Sequence, residues 1–496
     1  MYDDLRLPYQ VNVNPTLSLG GIFVNNEVVP DAPVNLVLKS FNRHGLIAGA
    51  TGSGKTKTMQ VLAEQLSLNG VPSLVMDIKG DISGLAMPGE SSEFLVNRGK
   101  SLNLPFTPSA YPVEFLSLQK GQAGVPLRST VMDFGAVLFA RLLDLNETQS
   151  GVITIVFEFA KDNNIKLIDL LDVKNILQYL QTDEGNAQIE KAYGAVASTS
   201  VGTIFRAIIE LESQGAEALF GEPAFDVQDL VRITPDNYGV ISIVRLMTLQ
   251  DRPKLFSTFM LKLLTDVYRK MPELGDPEKP KLVIFIDEAH LIFNHATKAV
   301  LDLLETMVKL IRSKGIGLIF CTQMPDDVPD SVLSQLGLKV QHTLRAFTAK
   351  DRKAMKLVAQ NFPPSTYYNT EELLTSLSTG EALLTSLDGK GQPTPLVQCI
   401  IRAPASRMGT LSDSEMASFS SRSTLMGKYG TKIEHALQTL GSVQATAPAS
   451  PNGTSAPSSE PSVITTLSKN TLVRQVIRQV FRDGFKALFS ILKGKR

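Results

Sequence analysis

The chain has 496 residues, of which 43% are hydrophobic and 20% are charged, proportions typical of soluble globular proteins. Lysine plus arginine equals aspartate plus glutamate at 49 each, so the net charge does not favour a nucleic-acid partner. The two cysteines, Cys321 and Cys399, exclude a disulfide framework and a cysteine metal cluster. The sequence begins without a signal-peptide pattern and contains no apolar run long enough to span a membrane, so we expect a cytoplasmic protein.

Residues 1–40 predict a short β-rich N-terminal segment with a turn at Gly20–Gly21. An α/β core is predicted over 41–410. It opens with the strand "HGLIAG", a helix from Lys55 to Leu68, and a strand in "PSLVMDI" that ends at Asp77. Strand, loop, helix and strand in this order are typical of a βαβ unit.

A mostly helical insertion is predicted over about 86–235, after a strand at "YPVEFLSL". The α/β rhythm then resumes with helices between strands in "NYGVISIVRL", "KLVIFIDEAH", "GLIFCTQ" and "LKVQHTLRA". "GEALLTSL" and "PLVQCIIRA" predict a closing antiparallel hairpin. The predicted fold class is therefore α/β, with a mainly parallel sheet and flanking helices.

The C-terminal part is predicted to contain an extension at 411–440, a disordered linker at 441–467 and a basic amphipathic helix at 468–496. The linker is rich in Ser, Ala, Pro and Thr and cannot bury enough apolar surface to fold. The last segment carries about eight basic residues and one acidic residue, so a basic tail follows a mildly acidic body. Such a helix can bind an anionic membrane surface, nucleic acid or a partner groove, or dock on the protein itself or on a sister subunit.

The stretch "GATGSGKT" matches the P-loop pattern, and it stands after a strand and before a helix as that motif requires. Glycines let the backbone curl so that N–H groups face phosphate oxygens, and the helix start adds a positive dipole end. Lys55 is expected to reach the outer phosphates of a nucleoside triphosphate, and the Thr56 hydroxyl to bind Mg²⁺. The predicted nucleotide-binding residues are Gly49, Ala50, Thr51, Gly52, Ser53, Gly54, Lys55 and Thr56.

A second acidic element follows the apolar run in "LVIFIDEAH". Asp287 stands at the carboxyl end of this strand, where ligands of parallel sheets bind, and is expected to hold Mg²⁺. Glu288 is expected to orient or deprotonate the attacking water, which favours hydrolysis over kinase chemistry. The letters "DEAH" do not indicate the helicases named for them, because their other signatures are missing, and His290 is interpreted as structural.

Five further polar positions are candidates for the same site. Gln323 is predicted at the end of a strand, where it can sense the γ-phosphate, and Asp77 and Asp81 are predicted near the nucleotide. Ordinary solvated polar residues at the ends of strands would give the same sequence pattern at all three positions. Arg312 and Arg345 are arginine-finger or cis-sensor candidates, since phosphoryl transfer profits from a guanidinium.

With these residues in place, the chain resembles the HerA-like branch of the HerA/FtsK ATPases, and more closely a bacterial group of HerA-helicase-like ATPases with a domain of unknown function. The match covers most of residues 10–410. It is carried by "NRHGLIAGATGSGKT", "VMDIKGDISGLA", "LNETQSGVITIVFEFA", "LVIFIDEAHLIF", "LIRSKGIGLIFCTQMPDDVPDSVLSQLG", "VQHTLRAFTAKD" and "ALLTSLDGKGQP".

The resemblance implies a RecA-like core that forms a hexameric ring, with ATP between subunits and DNA moved through the pore. It also implies that Gln323 is the sensor glutamine and that one arginine acts in trans. The segment before the P-loop looks too short for the β-barrel of archaeal HerA proteins, which weighs against that barrel's nuclease-docking role. The part of the chain before the tail shows no basic stripe, so the expectation that DNA is the substrate comes from the resemblance alone.

Three functions remain open from the sequence. The first is a ring-forming ATPase motor that acts on DNA. The second is an ATP-driven switch or motor that acts on a protein or at a membrane, with the tail helix as a peripheral anchor. The third is a nucleotide-binding structural protein, against which Glu288 argues.

Overall fold

The computed structural model describes residues 2–10, 16–249, 252–293 and 298–433, all of which belong to one compact unit spanning 1–441. The predicted linker at 441–467 and the predicted basic helix at 468–496 lie outside the described residues. Both stay predictions.

Twelve strands join in one sheet within the described part of the chain. They are β1 Thr16–Val24, β2 Glu27–Val37, β3 Gly45–Ala48, β4 Ser73–Asp77, β5 Val113–Ser117, β6 Val125–Pro126, β7 Ile241–Arg245, β8 Leu282–Ile286, β9 Ile316–Thr322, β10 Leu338–Gln341, β11 Glu381–Thr385 and β12 Val397–Ile401.

The helices surround this sheet and include most of the region between β6 and β7. They are α1 Asp3–Arg6, α2 Lys55–Leu68, α3 Glu93–Ser101, α4 Val131–Phe134, α5 Ala136–Leu142, α6 Glu147–Asp162, α7 Leu170–Tyr179, α8 Asp183–Tyr193, α9 Ser198–Ser213, α10 Pro253–Lys270, α11 His290–Phe293, α12 Lys298–Ile311, α13 Asp330–Leu333, α14 Ala349–Gln360, α15 Thr370–Ser376, α16 Asp413–Ser421 and α17 Thr424–Tyr429.

The strand order is β2-β1-β12-β11-β10-β3-β9-β8-β4-β7-β5-β6. Every pair from β10 to β6 is parallel, and every pair from β2 to β10 is antiparallel. The predicted fold class is confirmed, including the closing hairpin of β11 and β12. Because β3, β9, β8 and β4 are parallel neighbours, the loops after them share one edge of the sheet, which we call the carboxyl edge.

Two hydrophobic cores lie on the two faces of the sheet, and alternate residues of each central strand supply them. In β3, Leu46 and Ala48 pack in the core that includes the insertion helices, α10 and α12, whereas Ile47 packs in the core that includes α2 and the N-terminal strands. Burial on both faces explains why these strands read as continuous apolar runs.

The predicted turn at Gly20–Gly21 is wrong. Both glycines lie inside β1, and the chain reverses at Asn25 and Asn26, which have left-handed φ values of 51° and 66°. A Cβ atom on Gly20 would lie 2.0 Å from the carbonyl oxygen of Ile400 in β12. The glycine therefore permits close strand approach in an irregular stretch of β1, and it does not form a turn.

Two further features of the strands differ from the predictions made from the sequence. The strands of the N-terminal segment continue the core sheet, since β1 pairs with β12. The strand predicted in "LKVQHTLRA" ends early, because β10 stops at Gln341 and an irregular loop follows.

Among the described residues, no single helix is long and apolar enough for a membrane span, while the bent pair of α8 and α9 meets that test by length and composition only.

Candidate nucleotide-binding site

The P-loop leaves the carboxyl end of β3 and is fixed to the strands on either side. The Gly49 N–H donates to the Thr322 carbonyl oxygen at 3.3 Å, and the Ala50 N–H donates to that of Thr343 at 2.8 Å. Gly49, Gly52 and Gly54 have φ values of 152°, 79° and 110°, so the curled loop requires glycine at Gly52 and Gly54. A Cβ atom on Gly49 would lie 2.6 Å from the Cβ of His342.

Lys55 opens α2 and points back over the loop. Its Nζ donates to the carbonyl oxygens of Gly49 at 2.5 Å and Ala50 at 3.0 Å. Burial lowers the pKa of Lys55, and the nearby charge of Lys79 lowers it further. An ammonium group held against neutral carbonyls in this way gains from a phosphate, which offers it a charged acceptor.

The residues predicted to bind Mg²⁺ supply oxygen atoms of the right kind. The Thr56 hydroxyl donates to Asp81 Oδ2 at 3.2 Å. Asp287 Oδ2 and Asp81 Oδ1 are buried and accept no hydrogen bond from the described residues. Burial raises the pKa of Asp287 to about 7, although the charge of Lys79 opposes the rise. Unpaired carboxylate oxygens beside a hydroxyl fit a hard cation such as Mg²⁺.

Glu288 follows Asp287 at the end of β8 and is buried in an ion-paired position. Its backbone is left-handed, with φ at 46°. Lys79 Nζ forms an ion pair with Oε1, and His290 Nδ1 lies 3.1 Å from Oε2. Neither oxygen of Glu288 accepts a hydrogen bond of regular geometry from the described residues, so the contact that occupies the predicted general base is the ion pair with Lys79.

The two aspartates of the loop after β4 have different roles. Asp77 is buried and accepts a hydrogen bond from the Gly80 N–H at 2.7 Å, so it shapes the turn. Burial raises the pKa of Asp77 to about 6, and the Asp81 charge adds to the rise. Asp81 contacts the P-loop helix by accepting the hydrogen bond from Thr56.

Gln323 and the two arginines are distributed over both edges of the sheet. Gln323 is exposed directly after β9, at the carboxyl edge beside the P-loop. Arg345 is also exposed, two residues beyond the Thr343 carbonyl that holds the loop. Arg312 precedes β9 and lies 3.8 Å from Asp276 at the opposite edge. The structure therefore brings Gln323 and Arg345 towards the site, and it does not bring Arg312 there within one chain.

Two residues of this region were not predicted from the sequence. Lys79 is the basic residue between the two loop aspartates, and the alternation of charges in "DIKGD" was the available signal. His342 accepts from the Thr58 hydroxyl at 2.9 Å and donates to the Glu381 carbonyl oxygen at 2.9 Å, a tautomer assigned from these partners. It thereby ties α2 to β11, and no local pattern marks it.

A glycine-rich loop between a parallel strand and a helix, with paired acids on a nearby strand, defines a P-loop ATPase of the α/β class. The chain belongs to the helicase HerA-like C-terminal family, whose model matches residues 24–495.

Curated relatives agree with this assignment. The chain is 21% identical over 403 residues to the DNA double-strand break repair helicase HerA of Sulfolobus acidocaldarius, with 77% of this chain and 70% of that protein covered. It is 23% identical over 385 residues to the protein of the same name from Sulfurisphaera tokodaii, with the same two coverages.

Solved structures show the same fold. The plasmid coupling protein TrwB in complex with ADP and Mg²⁺ superposes with a TM-score of 0.52 at 14% identity, over 82% of this chain and 94% of that one. VirB4 of Thermoanaerobacter pseudethanolicus gives a TM-score of 0.50 at 15% identity, over 79% and 98% of the two chains.

Proposed function

We propose that the protein is an Mg²⁺-dependent ATPase that couples hydrolysis to translocation or remodelling of DNA. The observation that carries the ATPase part is the convergence of Lys55, Thr56, Asp287 and Glu288 at the carboxyl edge of one parallel sheet. The DNA part is supported by the relatives, which are named DNA double-strand break repair helicases. A homo-oligomeric ring, hexameric by resemblance, belongs to the same proposal, as does a cytoplasmic location.

The chain's own residues divide the chemistry among them. The P-loop N–H groups and Lys55 hold the outer phosphates, and Thr56 and Asp287 hold Mg²⁺, which when bound neutralises phosphate charge. Glu288 takes the proton of the attacking water. Gln323 senses the γ-phosphate, and one arginine, Arg312 or Arg345, completes the site of a neighbouring copy.

The test is ATP hydrolysis by the purified full chain, with and without single- and double-stranded DNA. Lys55→Ala should lower kcat by about 100-fold or more, because it removes the charged donor to the phosphates. DNA should raise the rate, and the rise should shrink at higher salt, because phosphate contacts release counterions. Hydrolysis that survives Lys55→Ala would remove the ATPase proposal.

The predicted basic amphipathic helix at 468–496 favours one alternative, an ATP-driven switch or motor that acts on a protein or membrane-associated partner without DNA. Lys55-dependent hydrolysis that no form of DNA stimulates would favour it. Tail-dependent binding to anionic liposomes would favour its membrane form, and a lack of lipid affinity would remove that form.

A further inference from the structure

The general base of the proposed reaction is held in an ion pair. Lys79 Nζ contacts Glu288 Oε1, and His290 Nδ1 lies 3.1 Å from the other carboxylate oxygen. The Glu288 side chain is only 7% exposed, so few other partners can reach it. A general base must present a free oxygen to the attacking water. Neither Glu288 oxygen accepts a hydrogen bond from the described residues, so the Lys79 ion pair is the contact that competes with the attacking water for this carboxylate.

Lys79 reaches Glu288 from the loop between Asp77 and Ser83, which is anchored at several points. Asp77 accepts from the Gly80 N–H, Asp81 accepts from Thr56, and the Ser83 hydroxyl accepts from the Leu411 N–H at 2.9 Å. The backbone beside Lys79 is thus fixed to the P-loop helix and to the segment before α16.

The Lys79 side chain has a second position available. It is 33% exposed, and it lines a cleft of about 260 Å³ together with Arg245, Thr410 and Asp413. A lysine stem has four rotatable carbons, so the ammonium can leave Glu288 for this cleft without a change of the loop backbone. Lys79 can therefore both hold the base and release it.

We propose that Lys79 is an autoinhibitory positioning residue that restrains Glu288 and keeps hydrolysis slow until the Lys79 side chain turns into the cleft beside Asp413. This rests on the proposed ATPase function of the same site. The alternative, a fixed pair that orients Glu288 productively, predicts the opposite change of rate when Lys79 is removed.

The test is the kcat and KM for ATP of the full chain without DNA. Lys79→Met should raise kcat about three- to tenfold, the shift expected when a partly buried ion pair is lost, and should leave KM unchanged. Lys79→Arg keeps the positive charge, so its kcat should stay at the low wild-type value. Lys39→Met is the matched control, since Lys39 pairs with Glu278 at 3.0 Å far from the site, and its kcat should equal that of the wild type.

Each outcome has a defined meaning. A Lys79→Met variant that is folded by circular dichroism and has an unchanged or lower kcat overturns the restraint, and so does a raised KM, which would make Lys79 a nucleotide ligand. Lys79→Gln repeats the test if the methionine variant fails to fold. The Lys79→Met, Glu288→Gln double variant should be inactive. If Lys55→Ala and Glu288→Gln leave the wild-type rate intact, the proposed function itself fails, which is a separate result.

Discussion

Two buried histidines should make the fold acid-sensitive. His44 accepts from the Leu318 N–H at 3.0 Å and donates to the Val308 carbonyl oxygen at 2.8 Å, so both ring nitrogens are used in the neutral form. His342 is held in the same way by Thr58 and Glu381. Burial lowers the pKa of each histidine from 6.5 to about 4, while the hydrogen bond to the backbone partly opposes the fall.

The sign of the effect follows from proton binding. Between pH 6.5 and 4 the unfolded chain binds protons at these two positions and the folded chain does not. Their contribution to stability is therefore full above pH 6.5 and is lost as the pH falls towards 4. At pH 5 each histidine should cost about 2 kcal/mol relative to pH 7, or about 4 kcal/mol for both.

The assay compares variants, because carboxyl groups also change the pH dependence of stability and some of them act in the opposite direction. Asp77 and Asp287 have raised pKa values and gain stability as the pH falls. Urea unfolding at pH 7 and pH 5 should show that His44→Gln and His342→Gln each remove about 2 kcal/mol of the pH dependence. Glutamine keeps one donor and one acceptor. An unchanged difference between the two pH values in both variants would refute the assignment of neutral buried histidines.

Three substitutions test the close contacts. Gly20→Ala should destabilise the fold by about 2 kcal/mol or more in thermal unfolding, since a Cβ atom would lie 2.0 Å from a carbonyl oxygen, whereas Gly389→Ala, with nothing within 4 Å, should be neutral. Gly49→Ala should weaken ATP binding at least tenfold in a fluorescent-nucleotide titration, because the new methyl group displaces the loop; equal affinity would contradict this. Tyr429→Phe removes the hydroxyl that donates to Asp229 at 2.6 Å and should cost about 1 kcal/mol, and no loss would show that the contact is dispensable.

The parallel core was predictable because its strands are buried on both faces. In β8, all of Leu282–Ile286 is buried, so the run is uninterrupted and carries a strong signal. The P-loop was also readable, since its glycines and Lys55 are adjacent in sequence. The turn predicted at Gly20 was wrong because glycine is typical both of turns and of places where two strands approach closely. The sequence of one strand cannot distinguish these two cases, since the difference depends on the partner strand.

The residues around the site could not be read from the sequence for a different reason. His342 meets Thr58 across 284 positions, and Lys79 meets Glu288 across more than two hundred, so no local period or spacing connects them. Arg312 and Arg345 looked equivalent in the sequence. They differ because one precedes a parallel strand and the other follows one, which places them at opposite edges of the sheet.

This difference between the edges bears on how a neighbouring copy would complete the site. Arg345 is exposed at the carboxyl edge, and Phe347 beside it is 80% exposed, which is unusual for a large apolar side chain. Arg312 is held near Asp276 at the other edge. If copies stack carboxyl edge to opposite edge, Arg312 of one copy meets the nucleotide of the next; if carboxyl edges adjoin side by side, Arg345 does. Mixing Lys55→Ala subunits with subunits that lack one arginine separates these geometries, because a Lys55→Ala neighbour restores hydrolysis only if the missing arginine acts in trans.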